Sequence, residues 1–513
     1  MFSALDLTQI EQHGISQESA QRQLHIVKEG KTNVKMVRPA IDGEGVFPFE
    51  ADRQIVSDII SNYLERKEGK KIVKFVPASG AATRMFKDLF VAMEKLLQNE
   101  NFTNFSDSVS LFFENLPKFA FFDALKEKLK KDNLDIEKLL SEKRYLPVLQ
   151  YLLTEKGLDY GKSPKGLLLF HRFFDQRRSA LEEHLVEATY VSGNDKTVYL
   201  HFTVSPEHLE DFKAHCREVV PPYERLFGVE YKIDFSFQQP STDTIAFTTD
   251  NQPFRDKNGH LVFRPGGHGS LIENLNKIDA DIILIKNIDN VSMEINRSDT
   301  TDFKKLLVCF MIRLQIRVFE YLNRFDTQPC SAKNIEEVEV FLQKILFIRL
   351  TEDYFALSLE EKQAYLHRFL NRPMRVCGVV KREEEPGGGP FWVRNENGEE
   401  SLQIVETSEI DASDPEQMGI LDKSVYFNPV DVACSTKNYR GDAFHLPDFV
   451  DYSRYFVSEK SHEGKTLKAI ENPGLWNGAM SDWVTVFLSV PLTTFTPVKT
   501  VNDLLRKEHL FLV

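Results

Sequence analysis

Two loops of small residues stand where this chain could hold phosphate. The first, Pro77-Ala78-Ser79-Gly80-Ala81-Ala82-Thr83-Arg84-Met85, follows the apolar run Lys71 to Val76 and precedes a helical pattern from Met85 to Leu97. A strand, a small-residue loop and a helix N-terminus bring backbone N–H groups and the helix dipole to one point, which is how anions are held. Arg84 adds a planar, permanently charged fork suited to phosphate oxygens. The second loop, Pro265-Gly266-Gly267-His268-Gly269, opens a stretch that runs to Asn290. That stretch ends in Asn287-Ile288-Asp289-Asn290, polar groups where a strand would finish. Open α/β sheets take their ligands outside the carboxyl ends of their strands. Loop, helix, strand and terminal Asp289 make one unit that could hold a nucleotide and a metal ion. Lys165, set between Pro164 and the apolar run Leu167 to Phe170, could present an ammonium rigidly at the edge of such a site. Each feature also has a plain reading, as a turn before a core strand or as a loop lysine. His171 reads as structural rather than catalytic.

The elements that would position these residues follow from periodicity. Leu271, Leu275 and Ile278 recur at helical spacing, and Ile282-Ile283-Leu284-Ile285 is short and β-branched, as in a buried parallel strand. Lys71 to Val76, Thr197 to Phe202, Tyr231 to Phe237, Met374 to Val380, Ser401 to Ile410, Val425 to Asp431 and Trp483 to Val490 read as further strands. Residues 1 to about 70 read as helical and polar, with Asp52 to Leu64 the clearest amphipathic segment. From about 86 to 161, Leu111, Phe112, Leu116, Phe119 and Leu125 recur at three- and four-residue spacing and predict a helical insertion. Its run Lys126 to Lys131 is a solvated face. Residues 302 to about 370 predict a second helical insertion, and Glu385-Pro386-Gly387-Gly388-Gly389 a flexible loop. The fold class expected is α/β, a mixed and mostly parallel sheet flanked by helices.

At 513 residues the chain should form two or more compact units, or one core with large insertions. A net charge of −13 argues against general binding to nucleic acid or to an anionic membrane. Cys216, Cys309, Cys330, Cys377 and Cys434 are scattered, with no CxxC pair, and read as reduced thiols rather than a disulfide frame or a zinc site. The N-terminus shows no basic and apolar leader, and no apolar run nears the roughly 18 residues that span a bilayer. A cytoplasmic location is expected.

Taken together, the motifs resemble those of a known superfamily. Pro77 to Met85 resembles the nucleotide loop of sugar-nucleotide pyrophosphorylases, L-x-G-G-x-G-T-R-L. Arg264 to Leu271 and Asp281 to Asn290 resemble the P-G-H-G or P-G-G-N-G loop and following strand of the eukaryotic-type UDP-glucose and UDP-N-acetylglucosamine pyrophosphorylases. Val405-Glu406-Thr407-Ser408-Glu409-Ile410 is similar to their V-E-Y-S-E segment, and Phe427-Asn428 through Asp431 to F-N-x-x-N. Ser163 to Leu168 resembles P-K-x-L-L, displaced here by the helical insertion. Phe495 to Leu505, FTPVKTVNDLL, resembles F-x-P-V-K-T-x-x-D-L-L most closely. The motifs keep the family's order from residue 76 to residue 505, as in a divergent bacterial branch. Ser79 and Ala82 depart from it by replacing glycines, and Ala82 would add a methyl where backbone should approach a triphosphate.

The resemblance implies a GT-A, Rossmann-like nucleotide-diphospho-sugar transferase fold. Residues 1–70 would be an N-terminal helical segment, 71–294 a nucleotide-binding core carrying the insertion at about 86–161, 295–372 the second insertion, and 373–513 the sugar-binding half and closing segment. It implies transfer of a nucleotidyl group, with UTP favoured, to a sugar 1-phosphate. Arg84, Lys165 and Lys499 would surround the phosphates. Ala78, Ser79, Gly80, Thr83, Gln238, Gly266, Gly267, His268 and Gly269 would hold the nucleotide. Asn287, Glu406 and Asn428 would read the sugar, and Asp289 with Asp431 would hold Mg²⁺. Such a reaction needs no Ser–His pair or thiolate, because the attacking phosphate is already largely ionised. Two other readings stay open. A glycosyltransferase of the same fold would place Asp-x-Asp at a strand's end, but Asp279-Ala280-Asp281 precedes the strand. A non-catalytic nucleotide-sugar binder would suit Ser79 and Ala82.

Overall fold

The computed structural model describes residues 2–30, 33–80, 82–174, 176–192, 195–293, 297–383, 388–395, 398–462 and 464–510. Ala81 of the first loop and Glu385, Pro386 and Gly387 of the glycine-rich loop therefore lie outside the described residues. The chain is mixed α/β, with a large, mostly parallel sheet flanked by helices. It divides into two compact units. The first comprises Met1–Ile72, Gln238–Ile285 and Leu306–Val490, the second Val73–Phe237, Lys286–Lys305 and Pro491–Val513.

In the first unit the strands run in the order Ile41–Asp42, Gly45–Phe47, Val484–Ser489, Met374–Lys381, Asp431–Ser435 and Ile282–Lys286. Met374–Lys381 lies parallel to Val484–Ser489 and antiparallel to Asp431–Ser435. Strands covered on both faces need no alternation, and Val484–Ser489, Asp431–Ser435 and Ile282–Lys286 are buried at every position. A separate antiparallel sheet joins Met36–Pro39, Gly389–Arg394 and Glu400–Val405. The second helical stretch forms Arg297–Thr327, Ala332–Ile345, Glu352–Phe355 and Leu359–Leu370.

Three expectations change in this unit. Residues 1–70 are helical over Ala4–Gln12, Gln17–Glu29 and Arg53–Ile60, yet Met36–Pro39 and Gly45–Phe47 are strands. Their shortness hides them from a periodicity argument, and partners more than 300 residues away hold them. The run Val425 to Asp431 is two strands, Tyr426–Phe427 and Asp431–Ser435, parted by a turn in which Val430 takes φ 59°. Ser401 to Ile410 stops being a strand at Val405 and continues as the tight turn Thr407–Glu409.

The second unit is built on the parallel strands Ile72–Pro77, Thr197–Thr203 and Glu230–Ser236, in register from Val73 beside Tyr199 and from Thr197 beside Glu230. The first helical stretch forms Lys87–Gln98, Asp107–Glu114, Phe122–Lys131, Ile136–Ser141 and Tyr145–Leu153. Phe112, Leu116, Phe119 and Leu125 enter the core from it, whereas Leu111 faces out. Two long helices, Ala180–Ser192 and Leu209–Phe227, are additional to the elements expected. Among the described residues no helix is long and apolar enough to cross a membrane, and all five cysteines are free.

Candidate functional site

The second unit gathers the predicted phosphate-side residues. Pro77 ends its strand, and the loop after it is stitched down by its own backbone. The Ala78 N–H donates to the Thr203 carbonyl at 2.8 Å, and the Ser205 hydroxyl donates to the Ser79 carbonyl at 2.9 Å. The helical excursion that follows returns to the same place. The Ala82 N–H donates to the Ser163 carbonyl at 3.1 Å, the Thr83 hydroxyl to the Gly161 carbonyl at 3.1 Å, and the Lys165 N–H to the Gly80 carbonyl at 3.4 Å. Lys165 is thereby brought back beside the loop despite the insertion. Gly80, Thr83 and Arg84 are exposed. Ala82 is fully buried among Ala78, Met85 and Phe86, so its methyl packs into the core.

Lys165 opens a tight turn, Lys165–Leu167, directly after Pro164. A Cβ at Gly166 would meet the Phe212 ring at 2.9 Å, so the turn is held close against the core by a residue without a side chain. The Lys165 ammonium donates to Asp289 Oδ2 at 2.8 Å and to the Val498 carbonyl at 2.9 Å. Lys499 donates to the same Oδ2 at 3.3 Å. Burial pushes the Asp289 carboxyl up, but the two ammoniums outweigh it and hold the group below its usual range. Asp289 is thus an ionised carboxylate between two cations. One of these, Lys165, is 13% exposed, and the other, Lys499, is 58% exposed.

The last motif explains its own spacing. The Asp503 carboxylate accepts from the N–H groups of Lys499 at 2.8 Å and Thr500 at 2.6 Å, closing a capping box on the turn Val501–Leu505. Val498, Val501 and Leu504 bury their side chains in the core on the other side. The Val498 N–H donates to the Asp289 carbonyl at 3.0 Å, and the Thr496 N–H to Asn290 Oδ1 at 3.0 Å. Asn287 is partly exposed, and its carbonyl accepts from the Asn290 N–H at 3.1 Å, making the turn that presents Asp289.

Behind this lies a cluster that sequence reasoning missed. Glu187, buried, is 2.7 Å from the ammonium of Lys74, 2.6 Å from Lys286 and 3.7 Å from Lys304, all three buried as well. Burial pushes Lys74 down to about 7, against the pull of Glu187 and with the help of the other two lysines. His184, one turn before Glu187, donates from Nε2 to the Ile288 carbonyl at 3.1 Å. Burial drives its imidazole well below the ordinary range. His171 is structural as expected, bonded at 3.0 Å to Glu183 and at 2.7 Å to His509.

The first unit holds the second loop. A Cβ at Gly269 would lie 2.1 Å from the Pro473 carbonyl oxygen and one at Gly266 2.5 Å from that of Thr242, so backbone approach dictates glycine at both. Gly267 takes φ 77°. His268 stacks on Trp476 with ring centroids 4.3 Å apart. The Leu475 N–H donates to His268 Nδ1 at 3.1 Å, which leaves the proton on Nε2, 4.0 Å from Glu406 Oε1. Burial lowers the imidazole, and Glu406 and Glu471 oppose this without cancelling it. The Trp476 indole N–H donates to the same Glu406 oxygen at 3.3 Å. Glu406 and Glu409 divide their work. Glu409 is buried and ties Arg454, Asn477 and the Glu406 N–H together, at 2.7, 3.0 and 2.8 Å. Glu406 is left half-buried at the surface. Trp476 was not foreseen, although the turn-rich string Asn472-Pro473-Gly474-Leu475-Trp476-Asn477-Gly478 could have marked it.

Asn428 is buried, with Nδ2 donating to the Gly378 carbonyl at 3.1 Å and Oδ1 accepting from the Val430 N–H at 3.1 Å. Its amide holds the turn that precedes Asp431, which is itself buried. Gln238 is half-buried with its Nε2 unpartnered among the described residues. Also among the described residues, no group of three or more His, Cys, Asp or Glu could hold a metal ion by itself.

The family described as Domain of unknown function (DUF4301) matches residues 3–510. No curated protein matches the chain. Among solved structures, UDP-glucose pyrophosphorylase from Leishmania major is similar at 13% identity and a TM-score of 0.44, covering 98% of this chain and 79% of that one. A UDP-glucose phosphorylase from Trypanosoma brucei is similar at 13% identity and 0.43, covering 98% and 77%. The uridine diphosphate N-acetylglucosamine pyrophosphorylase from Trypanosoma brucei is similar at 12% identity and 0.45, covering 95% and 74%.

Proposed function

The chain belongs to the DUF4301 family, and from the chemistry of its own residues we propose that it is a sugar-1-phosphate nucleotidyltransferase. A phosphate oxygen of the sugar 1-phosphate attacks the α-phosphorus of a nucleoside triphosphate. A new P–O bond forms, the α–β bridging P–O bond breaks, and pyrophosphate leaves with the electron pair. The nucleophile enters as an anion, so the protein's task is to bring polyanions together and offset charge in the transition state. UTP is the favoured donor, on the motif resemblance alone.

The observation that carries this reading is the pair of ammoniums meeting on one carboxylate. Lys165 and Lys499 come from segments 334 positions apart yet share Asp289 Oδ2, at 2.8 and 3.3 Å. Lys499 is the more exposed of the two and would turn toward an incoming phosphate, while Lys165 has a second bond to Val498. Arg84, exposed at the loop, supplies the third cation. Loop residues Ala78, Ser79, Gly80 and Thr83 would follow the triphosphate, and Gln238 with Gly266 to Gly269 would meet the base. Glu406 and Asn287 are each candidates to accept from a sugar hydroxyl, whereas the Asn428 amide is committed to its own turn.

An ionised Asp289 would offer a hard oxygen donor to Mg²⁺, which needs only one or two carboxylates beside substrate phosphates. When bound, the ion would neutralise phosphate charge.

The test is pyrophosphate release with Mg²⁺, crossing the common triphosphates with a panel of sugar 1-phosphates. Release with one pair, UTP expected, supports the reaction. Tight binding of a nucleotide sugar with no release from any pair would instead make the protein a binder.

A further inference from the structure

Nucleotidyl transfer leaves one feature of the first unit unused. A cleft of about 800 Å³ opens between helix Ala332–Ile345, the 310–321 part of helix Arg297–Thr327, and Phe49, Ile59 and Arg66 of the N-terminal segment. Its floor is apolar. Phe49 meets Phe310 edge-on with centroids 6.2 Å apart, and Tyr321 meets Phe341 at 5.3 Å. Ile316 and Val340 on its margin are 49% and 50% exposed, at positions where an amphipathic helix facing only water would carry polar residues.

The rim of the cleft is cationic. Arg317 is matched by Glu320 at 3.4 Å and Glu337 at 4.0 Å. Arg66, Arg313 and Lys344 also line the cleft, and among the described residues none of them has a carboxylate partner. The Arg66 Nε is buried with no hydrogen-bond partner. In a chain of net charge −13, three unmatched cations around an apolar floor reverse the local field.

We propose that this cleft binds a monomeric anionic amphiphile, its single acyl chain on the Phe49–Phe341 floor and its carboxylate head against Arg66, Arg313 and Lys344. Guanidinium groups pair with carboxylates through two parallel hydrogen bonds. The volume falls inside the roughly 300–1,000 Å³ of clefts that take small ligands, and the unmatched cations select an anionic one.

The test titrates the full chain by calorimetry with dodecanoate below its micelle threshold, and with dodecanol and dodecyltrimethylammonium as uncharged and cationic counterparts. Dodecanoate should saturate one site and bind at least about tenfold more tightly than either counterpart. The Arg313→Glu/Lys344→Glu double variant should lose about tenfold in affinity or more. Both side chains are exposed, so an unchanged melting curve is expected beside that loss. Val340→Asp should weaken binding as well, through lost apolar contact at the margin instead of the cations. Equal affinity for dodecanoate and dodecanol would overturn the head-group assignment, and unchanged affinity in the double variant would overturn the site. Association with acidic vesicles but not with the monomer would overturn the ligand in favour of a membrane surface.

Discussion

At the scale of single residues, Asp289 is where three segments meet, and the two lysines on it are not equivalent. Lys165→Ala and Lys499→Ala should each lower pyrophosphate release about a hundredfold, roughly 3 kcal/mol of transition-state stabilisation. Only Lys165→Ala should also shift the urea midpoint, because it removes two bonds from a buried site. Loss of activity in neither variant would remove the phosphate assignment. Lys165, Asp289 and Lys499 were legible in the sequence because each sits in a short string whose neighbours constrain it. Lys165 follows a proline, Asp289 lies in the turn after a strand, and Lys499 precedes a capping box. Trp476 and the buried Glu187 were not legible. Their partners lie from 70 to 208 positions away, and no local pattern connects them.

Elements are fixed to one another by a few such residues. Glu187, on helix Ala180–Ser192, ties that helix to strand Ile72–Pro77 through Lys74, to the end of Ile282–Lys286 through Lys286, and to helix Arg297–Thr327 through Lys304. Glu187→Gln removes the carboxylate's charge from beside three buried ammoniums and should destabilise the protein by about 3–5 kcal/mol in urea unfolding. A change under about 1 kcal/mol would show that the lysines reach water without it. Asp503→Ala removes the box that caps Val501–Leu505. It should lower stability by about 1 kcal/mol, while reducing turnover at saturating substrate more than that loss explains, because the Lys499 N–H is released. Turnover unchanged at full saturation would separate the cap from the chemistry. Helix Ala180–Ser192 went unread for a physical reason. Glu182, Glu183, His184 and Glu187 are buried in it, so its pattern shows no polar face. Leu209–Phe227 carries Pro221 and Pro222 inside it, which argue locally against a helix that tertiary packing nonetheless keeps.

On the scale of the whole molecule, buried titratable groups set a direction for acid stability. His184 and His509 are driven well below 6.5 by burial, and Glu187 well below 4.5 by its lysines against burial. A histidine depressed in the folded state carries no penalty above its unfolded value. Stability is then lost as pH falls through 6.5 toward the folded value. The depressed carboxylate adds its own loss as pH falls below 4.5. Chemical denaturation from about pH 8 to about pH 5 should therefore show a decline beginning near 6.5, reduced in slope by His184→Gln. A flat profile would mean that these imidazoles are already solvated. The α/β class and both helical stretches were readable because they repeat over many residues. The short N-terminal strands were not, since two to four residues carry no period and their partners are distant. The return of the chain from Gly161 and Ser163 to Thr83 and Ala82 has a kinetic meaning as well. Joining those ends closes a loop of roughly 80 residues, an entropic barrier of about 4 kcal/mol if the loop were still disordered. Helices collapse faster than such a loop closes. The loop before Arg84 and the turn that carries Lys165 should therefore come together only after the helices between them have formed, so that the last part of this unit to fold is the part proposed to meet phosphate.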